Sequence, residues 1–396
     1  MRRFPPLPPL PLATLAAALV IAVSAGASLT APHAAHTIDL LETPSPQSPR
    51  AAAQLMNGLV HAGDRLVAAG ARGTIVYSDD GGSSWAQATV PVAVMLTALH
   101  FPTPQLGWAV GHDGVILHSH DGGLSWQRQF DGNQANTQML AWAKARLERA
   151  QHTLQHAPEA QRQAAEEALA AAEDGLAGIE QSAGFGPSRP FMSVWFRNAS
   201  EGYAVGAFGM AFGTSDGGKH WTLFAGRLPN PESLHLYAIA SPAPGVLLIA
   251  GERGLLLRSA DAGASWQALP ALTEGGLYGL AALPDGSAVL AFGFDGAVLH
   301  SADLGSSWQA LDSGTRSALY GAAQAGSELM LVGNNGTRLR LAGKRFEALP
   351  AGDGRTLSAA ALGTHGWVLA GWGGLSAHAP SHDSPSHDIT GAPRHE

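Results

Sequence analysis

Short apolar runs that recur along the chain are separated by glycine-rich turns. In one stretch, Leu96–Phe101 and Gly107–Gly111 have the pattern of two strands, and Val115–Ser119 forms a third after a Gly-x-x-Gly turn. Glycine suits these reversals because hairpin turns require a positive φ, which glycine adopts at little steric cost. A fourth strand opens at Trp126. The pattern predicts a four-stranded antiparallel meander.

The meander repeats along the chain. The first glycines of the Gly-x-x-Gly turns are Gly70, Gly111, Gly206, Gly251, Gly293, Gly333 and Gly371. Successive intervals are 41, 95, 45, 42, 40 and 38 residues, so only the second gap is abnormal. A period of roughly 40 residues with four strands per unit is typical of a β-propeller. We therefore expect an all-β, seven-bladed propeller over residues 50–377.

Five units carry a second motif, Ser/Thr-x-Asp-x-Gly-x-x-Trp, between their third and fourth strands. Its Asp and Trp residues are Asp80, Trp85, Asp121, Trp126, Asp216, Trp221, Asp261, Trp266, Asp303 and Trp308. An Asp can accept backbone N–H bonds within its own turn, and a Trp can fill the space between neighbouring blades. Because the motif recurs once per blade, we expect it to stabilise the fold. In the sixth unit it has decayed, and Phe346 stands where the Trp would be.

The abnormal gap predicts an inserted helical hairpin over residues 134–182, between blades two and three. Residues 136–156 and 159–181 are rich in Ala, Gln, Glu and Arg, and Pro158 separates the two helices. The topology places this hairpin on the face of the Gly-x-x-Gly turns, opposite the Asp motifs. We expect its removal to leave the propeller folded.

The sequences at the two ends of the chain differ from the repeats. Arg2 and Arg3, an apolar run and a small-residue site predict a secretory signal over residues 1–27, and hence export to a periplasm, a lumen or the exterior. The seventh unit lacks a last strand, and residues 37–42, within the N-terminal segment 28–49, are predicted to supply it. The tail 378–396 has the composition of a disordered segment.

Composition excludes several classes of function. The chain has no Cys, which excludes disulfides, thiolate metal sites and a cysteine nucleophile. A formal net charge of −8 argues against nucleic acid as a partner, because phosphate binding requires a basic surface. No segment after the signal is apolar over 18 residues, so we expect no stable transmembrane insertion. No motif predicts a cofactor.

The tips of the Gly-x-x-Gly turns are candidates for a partner-binding surface. A turn tip needs no large or charged side chain for folding, yet several tips carry one. The candidate residues are Arg72, His112, Asp113, Phe208, Arg253, Phe294, Asp295, Asn335 and Trp372. We expect them to bind a protein client.

The repeated box resembles the Asp-box, or bacterial neuraminidase repeat, of sialidases, sortilin-type receptors and photosystem II assembly and stability factors. The phrase at Gly107–Trp126, echoed at Gly202–Trp221, is most similar to the last group. That resemblance implies a non-catalytic seven-bladed propeller that acts as a protein-binding assembly factor, with a membrane-protein client in the envelope or in photosynthesis. It also implies an arginine patch, which Arg72 and Arg253 fit but which Asp113, Asp295 and Asn335 would interrupt.

The alternative is a glycoside hydrolase of sialidase type. It would require an arginine cluster and a tyrosine nucleophile beside a glutamate. Tyr237, Tyr278 and Tyr320 occur in matching phrases of successive first strands, which favours packing over catalysis. His152 and His156 lie one helical turn apart, but no third ligand stands at a useful spacing, so we expect a solvated helix face. His382 and His387 lie in the tail, where at most weak metal binding is expected of a disordered segment.

Overall fold

The sequence folds into seven antiparallel sheets. The structure is a computed structural model that describes residues 38–283, 286, 288–326, 328–350 and 352–378. Over these residues six sheets have four strands, the seventh has three, and each is a meander in chain order. The signal at residues 1–27 and the tail from residue 379 onward, with His382 and His387, lie outside the described residues.

The strand bounds follow the repeat. Blade one comprises β1 (Met56–Ala62), β2 (Arg65–Gly70), β3 (Ile75–Ser78) and β4 (Ala86–Gln87); blade two comprises β5 (Leu96–His100), β6 (Gly107–Gly111), β7 (Ile116–Ser119) and β8 (Gln127–Phe130). Blade three comprises β9 (Phe191–Phe196), β10 (Gly202–Gly206), β11 (Ala211–Thr214) and β12 (Thr222–Leu223); blade four comprises β13 (Leu236–Ala243), β14 (Val246–Gly251), β15 (Leu256–Ser259) and β16 (Gln267–Ala268). Blade five comprises β17 (Leu277–Ala282), β18 (Val289–Gly293), β19 (Val298–Ser301) and β20 (Gln309–Leu311); blade six comprises β21 (Leu319–Ala325), β22 (Glu328–Gly333), β23 (Arg338–Ala342) and β24 (Arg345–Ala348). Blade seven comprises β25 (Leu357–Gly363), β26 (Gly366–Gly371) and β27 (Gly374–His378).

The blades form a closed ring. Each first strand contacts the first strand of the next blade, and β25 of blade seven contacts β1 of blade one. These first strands surround a central channel of about 430 Å³. The predicted seven-bladed β-propeller is confirmed.

The hydrophobic core is divided among the blade interfaces, with one cluster of buried side chains between each pair of neighbours. The box tryptophan of each blade packs into the interface with the preceding blade; Trp126, for example, lies between blades one and two. Phe346 occupies the corresponding place between blades five and six, where the box has decayed. A large aromatic ring fills the gap left by the splay of neighbouring sheets, and the Asp of the box is not needed for that.

The N-terminal segment lies elsewhere than predicted. Thr37 is outside the described residues, and the following residues form a turn beside blades one and two instead of a strand in blade seven. The Leu41 side chain is buried between those blades, and the Ala93 N–H donates to the Leu40 carbonyl at 2.8 Å. Pro44 and Pro46 follow, and because proline cannot donate a ladder hydrogen bond, this stretch is a poor strand.

Ring closure between blades seven and one therefore relies on side-chain packing. Met56 and Leu59 of β1 share a buried cluster with Val368 and Ala370 of β26. One backbone hydrogen bond joins the blades as well, from the Thr364 N–H to the Gly81 carbonyl at 3.2 Å.

The predicted helical hairpin is present between blades two and three. Its helices are α1 (Gly132–His156) and α2 (Glu159–Gly184), and a capping box at Asp131 and Gln134 starts α1. Of the helices in the described part of the chain, none is long and apolar enough to cross a bilayer.

The base of the hairpin belongs to the core, which the sequence did not indicate. Ala135, Met139 and Ala143 of α1 and Ile179 of α2 share one buried cluster with the apolar residues of blades two and three. Removal of residues 134–182 would expose this cluster to water, so the hairpin is not the separable element that the sequence suggests.

Candidate partner-binding face

We call the face that carries the Gly-x-x-Gly turns the turn face. In six turns the third residue has a left-handed backbone although it is not glycine: Arg72, Asp113, Phe208, Arg253, Asp295 and Asn335, with φ between 53° and 55°. Such a conformation costs an ordinary side chain about 1–2 kcal/mol, and bulky residues adopt it rarely. Asn or Gly would fit these positions better, so folding alone does not account for the Arg and Phe side chains there.

The glycine that ends each turn is required by close packing. Gly73 has a φ of +69°, and a Cβ there would lie 1.9 Å from the Val92 carbonyl oxygen. The turn is therefore fixed by its last residue, and the preceding side chain is free to vary and points into solvent, as Arg72 does.

Most charges on the turn face are neutralised locally. Arg253 pairs with Glu232 at 2.6 Å, and Asp295 pairs with Arg316 at 2.9 Å. The Arg316 contact holds the pKa of Asp295 below its usual range. Arg72 has no ion-pair partner among the residues that the structure describes. The two predicted arginines therefore do not form a continuous basic patch.

Exposed apolar side chains concentrate on this face. Phe208, Phe294 and Trp372 are each more than half exposed at their turn tips, and Leu272 and Phe185 are exposed close by. Large apolar side chains grouped on one face of a soluble scaffold are typical of protein-binding surfaces.

A row of tyrosines at the channel mouth extends this surface, and the sequence interpretation missed its role. Tyr237, Tyr278 and Tyr320 are the second residues of β13, β17 and β21, with ring centroids 5.2 and 5.5 Å apart. His235 continues the row to Phe208, at 4.7 Å. The sequence does contain a signal for this row, namely the repeated Leu-Tyr dipeptide at the start of these first strands. The second residue of every first strand lies where the channel opens on the turn face.

The same tyrosines are poorly suited to act as sialidase nucleophiles. Burial raises the pKa of Tyr237 and of Tyr278, whereas a nucleophile requires the opposite shift. Arg316 is engaged by Asp295, and Arg338 donates to the Pro350 carbonyl. Within the described residues, these two arginines are therefore held by other groups and not gathered into the cluster that a sialidase would require.

The Asp-boxes lie on the opposite face, which we call the box face. In blade five, Asp303 Oδ1 accepts from the Ser307 N–H at 2.8 Å and from the Ser301 hydroxyl at 2.7 Å, and Ser301 in turn accepts from the Gly305 N–H at 2.8 Å. The other four boxes repeat these bonds. The bonds from Ser307 lower the pKa of Asp303 to about 2. Each carboxylate is fully used inside its own turn.

A cleft of about 790 Å³ opens beside the turn face, between the hairpin and blade three. Phe208 lines this cleft and is also a turn tip, so the cleft is continuous with the turn face. Arg189, in the connection between α2 and β9, is buried in its wall. Burial lowers the pKa of its guanidinium. No sequence pattern marks Arg189, because it lies in an irregular linker.

The helical histidines are a solvent-exposed pair. The rings of His152 and His156 are 4.3 Å apart, and His156 Nδ1 lies 2.8 Å from the His152 carbonyl oxygen. Within the part of the chain that the structure describes, no group of three or more His, Asp or Glu residues is arranged to hold a metal ion.

Comparison with known proteins agrees with the repeat phrase. Residues 187–341 match the family model described as photosynthesis system II assembly factor YCF48. The predicted resemblance is confirmed. A curated relative, the photosystem II assembly lipoprotein Ycf48 of Synechococcus sp. (strain CC9902), is 38% identical over 102 residues. Those residues are 25% of this chain and 30% of the relative, so the match spans less than a third of the relative's length.

Two solved structures share the fold. YCF48 bound to a D1 peptide aligns with a TM-score of 0.55 and 15% identity, covering 83% of this chain and 94% of that one. YCF48 from Cyanidioschyzon merolae aligns with a TM-score of 0.55 and 14% identity, covering 84% and 97%. At these identities the likeness shows the propeller alone.

Proposed function

We propose that this chain is a non-catalytic assembly factor that holds an exposed segment of a client protein on its turn face. The observation that carries the proposal is the exposure of Phe208, Phe294 and Trp372 on that face, next to the tyrosine row at the channel mouth. Support comes from the similar fold of a YCF48 protein whose structure holds a D1 peptide. Aromatic anchors supply much of the binding energy in protein interfaces.

The client in this proposal is a membrane protein that displays a segment in the compartment to which the chain is exported. The predicted signal at residues 1–27 supports export, and the Synechococcus relative is named a lipoprotein. The turn face suits such a client because it is apolar and its charges are mostly paired, so that docking desolvates few free ions.

A photo-crosslinking experiment tests the proposal. A benzophenone amino acid at Phe294 is expected to crosslink one major envelope protein. The triple variant Phe208→Gly, Phe294→Ala and Trp372→Ala, with the crosslinker moved to Leu272, is expected to reduce that product at least tenfold. Glycine at 208 removes the ring and tolerates the left-handed backbone.

The control removes apolar area from the box face. Leu124→Ala with Leu362→Ala deletes two exposed leucines there and should leave the product unchanged. Equal losses in both variants, with unchanged melting temperatures, would contradict a binding role for the turn face.

The absence of chemistry is a separate part of the proposal. The raised pKa values of Tyr237 and Tyr278 and the ion pairing of Arg253 and Arg316 support it. We expect no turnover of a panel of fluorogenic glycosides, sialosides included. Turnover that is lost on Tyr278→Phe, with the fold intact, would overturn it.

A further inference from the structure

The cleft between the hairpin and blade three contains a buried cation without a counter-ion. Arg189 has a relative exposure of 9%, and no carboxylate pairs with it among the residues that the structure describes. Arginines are almost never this buried unless they are paired, because an uncompensated charge in the interior loses its hydration without a compensating ion pair.

Neutral groups hold the guanidinium in place. Its Nη2 donates to the Ser182 hydroxyl at 2.6 Å and to the Gly178 carbonyl at 3.4 Å, and its Nε donates to Ser182 at 3.1 Å. The Phe208 ring lies 5.3 Å from its central carbon. Both α2 groups lie in the last two turns of the helix, where the helix dipole offers partial negative charge. These contacts orient the cation but leave its formal charge unbalanced.

The rest of the cleft combines positive charge with apolar walls. Arg146 and Arg149 of α1 also line it, and among the described residues of the lining Asp174 is the single acidic one. Arg146 lies over the Trp142 ring at 5.7 Å. The apolar lining comprises Met139, Trp142, Ile179, Phe185, Leu223 and Leu228. A ligand that matches this cleft carries a carboxylate on an apolar body.

We propose that the cleft binds an acidic side chain or a terminal carboxylate carried by an apolar stretch of the client polypeptide, with Arg189 as its ion-pair partner. This inference rests on the proposed function, because the peptide is assigned through Phe208, which belongs to both the cleft and the turn face. A planar guanidinium can take a carboxylate through two parallel hydrogen bonds, and a low-dielectric wall strengthens that pairing.

Matched peptides test the proposal directly. The probe is a fluorescein-labelled Leu-Phe-Glu-Leu-Phe-Ala peptide with blocked ends, compared with its Glu-to-Gln counterpart by fluorescence anisotropy on the full chain. The Glu peptide is expected to bind at least tenfold more tightly. In Arg189→Gln that preference should fall to within twofold, while Arg189→Lys should retain part of it.

Two further variants complete the test: one perturbs Arg189 without removing its charge, and the other is a control outside the cleft. Ser182→Ala leaves the charge in place but frees the guanidinium to reorient, and it should reduce the preference severalfold even if Arg189→Gln fails to fold. Arg162→Gln, near the start of α2 and paired with Glu166, lies outside the cleft lining and should leave the preference unchanged. Equal binding of the Glu and Gln peptides by the unmodified chain would overturn the proposal.

The remaining arms separate the source of the carboxylate from the function itself. Decanoate provides the third arm. If decanoate displaces the Glu peptide and binds more tightly than that peptide does, the cleft is a site for a small amphiphile, and the proposed peptide ligand is overturned. Crosslinking of the client at Phe294 that persists without any Glu preference would remove the cleft but leave the proposed function standing. If the crosslink is lost while the Glu preference is retained, the cleft binds carboxylate peptides but the proposed function of the turn face is contradicted.

Discussion

At the scale of single residues, the two kinds of turn in a blade differ in how they use their side chains. The Asp-box uses its carboxylate internally: in blade four, Asp261 accepts from the Ser265 N–H and from the Ser259 hydroxyl, each within 3.0 Å. The Gly-x-x-Gly turn is fixed by its glycines and leaves its third side chain in solvent at most blades, as at Arg72. The box carboxylate is therefore engaged within its turn, whereas the other turn leaves side chains available for the proposed partner.

The box carboxylates predict an acid-dependent loss of stability. Hydrogen bonds from Ser265 and Ser307 lower the pKa values of Asp261 and Asp303 to about 2, below the value near 3.9 of an unfolded Asp. Because the folded pKa values are depressed, the stabilisation is complete above about pH 4 and is lost as the pH falls through 2. Urea midpoints measured from pH 5 to pH 2 should decline, and the decline should be shallower in Asp261→Asn with Asp303→Asn.

The matched control changes the same number of charges outside the boxes. Asp64→Asn with Asp174→Asn removes two exposed carboxylates and should leave the slope of the unmodified chain. A slope reduced equally in both double variants would assign the acid sensitivity to net charge instead of to the boxes.

At the scale of elements, the hairpin joins a buried base to an exposed tip. Met139 and Ile179 lie in the core shared by blades two and three, whereas most residues from 151 to 164 are exposed. The Asp131 capping box fixes the start of α1 directly after β8, and Gly132 passes so close to the blade-two turn that a Cβ on Gly114 would lie 2.7 Å from the Gly132 Cα. The base is thus part of the propeller, and the tip is the variable part.

Two deletions separate these roles. Replacing residues 151–164 by four glycines, which can span the distance of about 10 Å between packed helices, should change the unfolding free energy by less than about 1 kcal/mol. Replacing residues 134–182 should lower the urea midpoint strongly and increase binding of a hydrophobic dye, because blade three loses its cover. A full deletion as stable as the unmodified chain would contradict the shared core.

At the scale of the whole molecule, the ring closes without a covalent link and without an added strand in the described residues. The chain has no Cys, and blade seven meets blade one through apolar side chains such as Met56 and Val368. The N-terminal segment, through Leu41 and Glu42, instead packs against both blade one and blade two. Arg128 donates to the Leu41 carbonyl at 2.7 Å and pairs with Glu42 at 2.6 Å.

Two adjacent leucines test where this segment is anchored. Leu41 is 3% exposed and Leu40 is 44% exposed. Leu41→Ala should lower the unfolding free energy by about 2–4 kcal/mol through loss of burial, whereas Leu40→Ala should stay within about 0.5 kcal/mol. Chemical denaturation of both variants gives the comparison. Equal effects would show that the segment is not packed as the structure has it.

The repeat architecture can be read from the linear pattern of residues. Seven Gly-x-x-Gly turns and five Asp-boxes specify blade number, strand order and the position of the insertion, because each is a local requirement of backbone geometry that a linear pattern records. The turn-tip residues could also be identified in this way, since Phe208 and Trp372 stand beside invariant features of the repeat.

The contacts between residues far apart in the chain depend on how the segments pack in three dimensions. The path of residues 39–42 depends on the apolar interface between blades one and two, where Leu41 is buried. The row from Tyr237 to Tyr320 depends on the curvature of the ring of blades. The burial of Arg189 depends on the two helices that pack against blade three. Burial and pairing arise between segments far apart in the chain. No local pattern encodes that Arg189 is enclosed without a carboxylate, because the enclosure is made by other parts of the molecule.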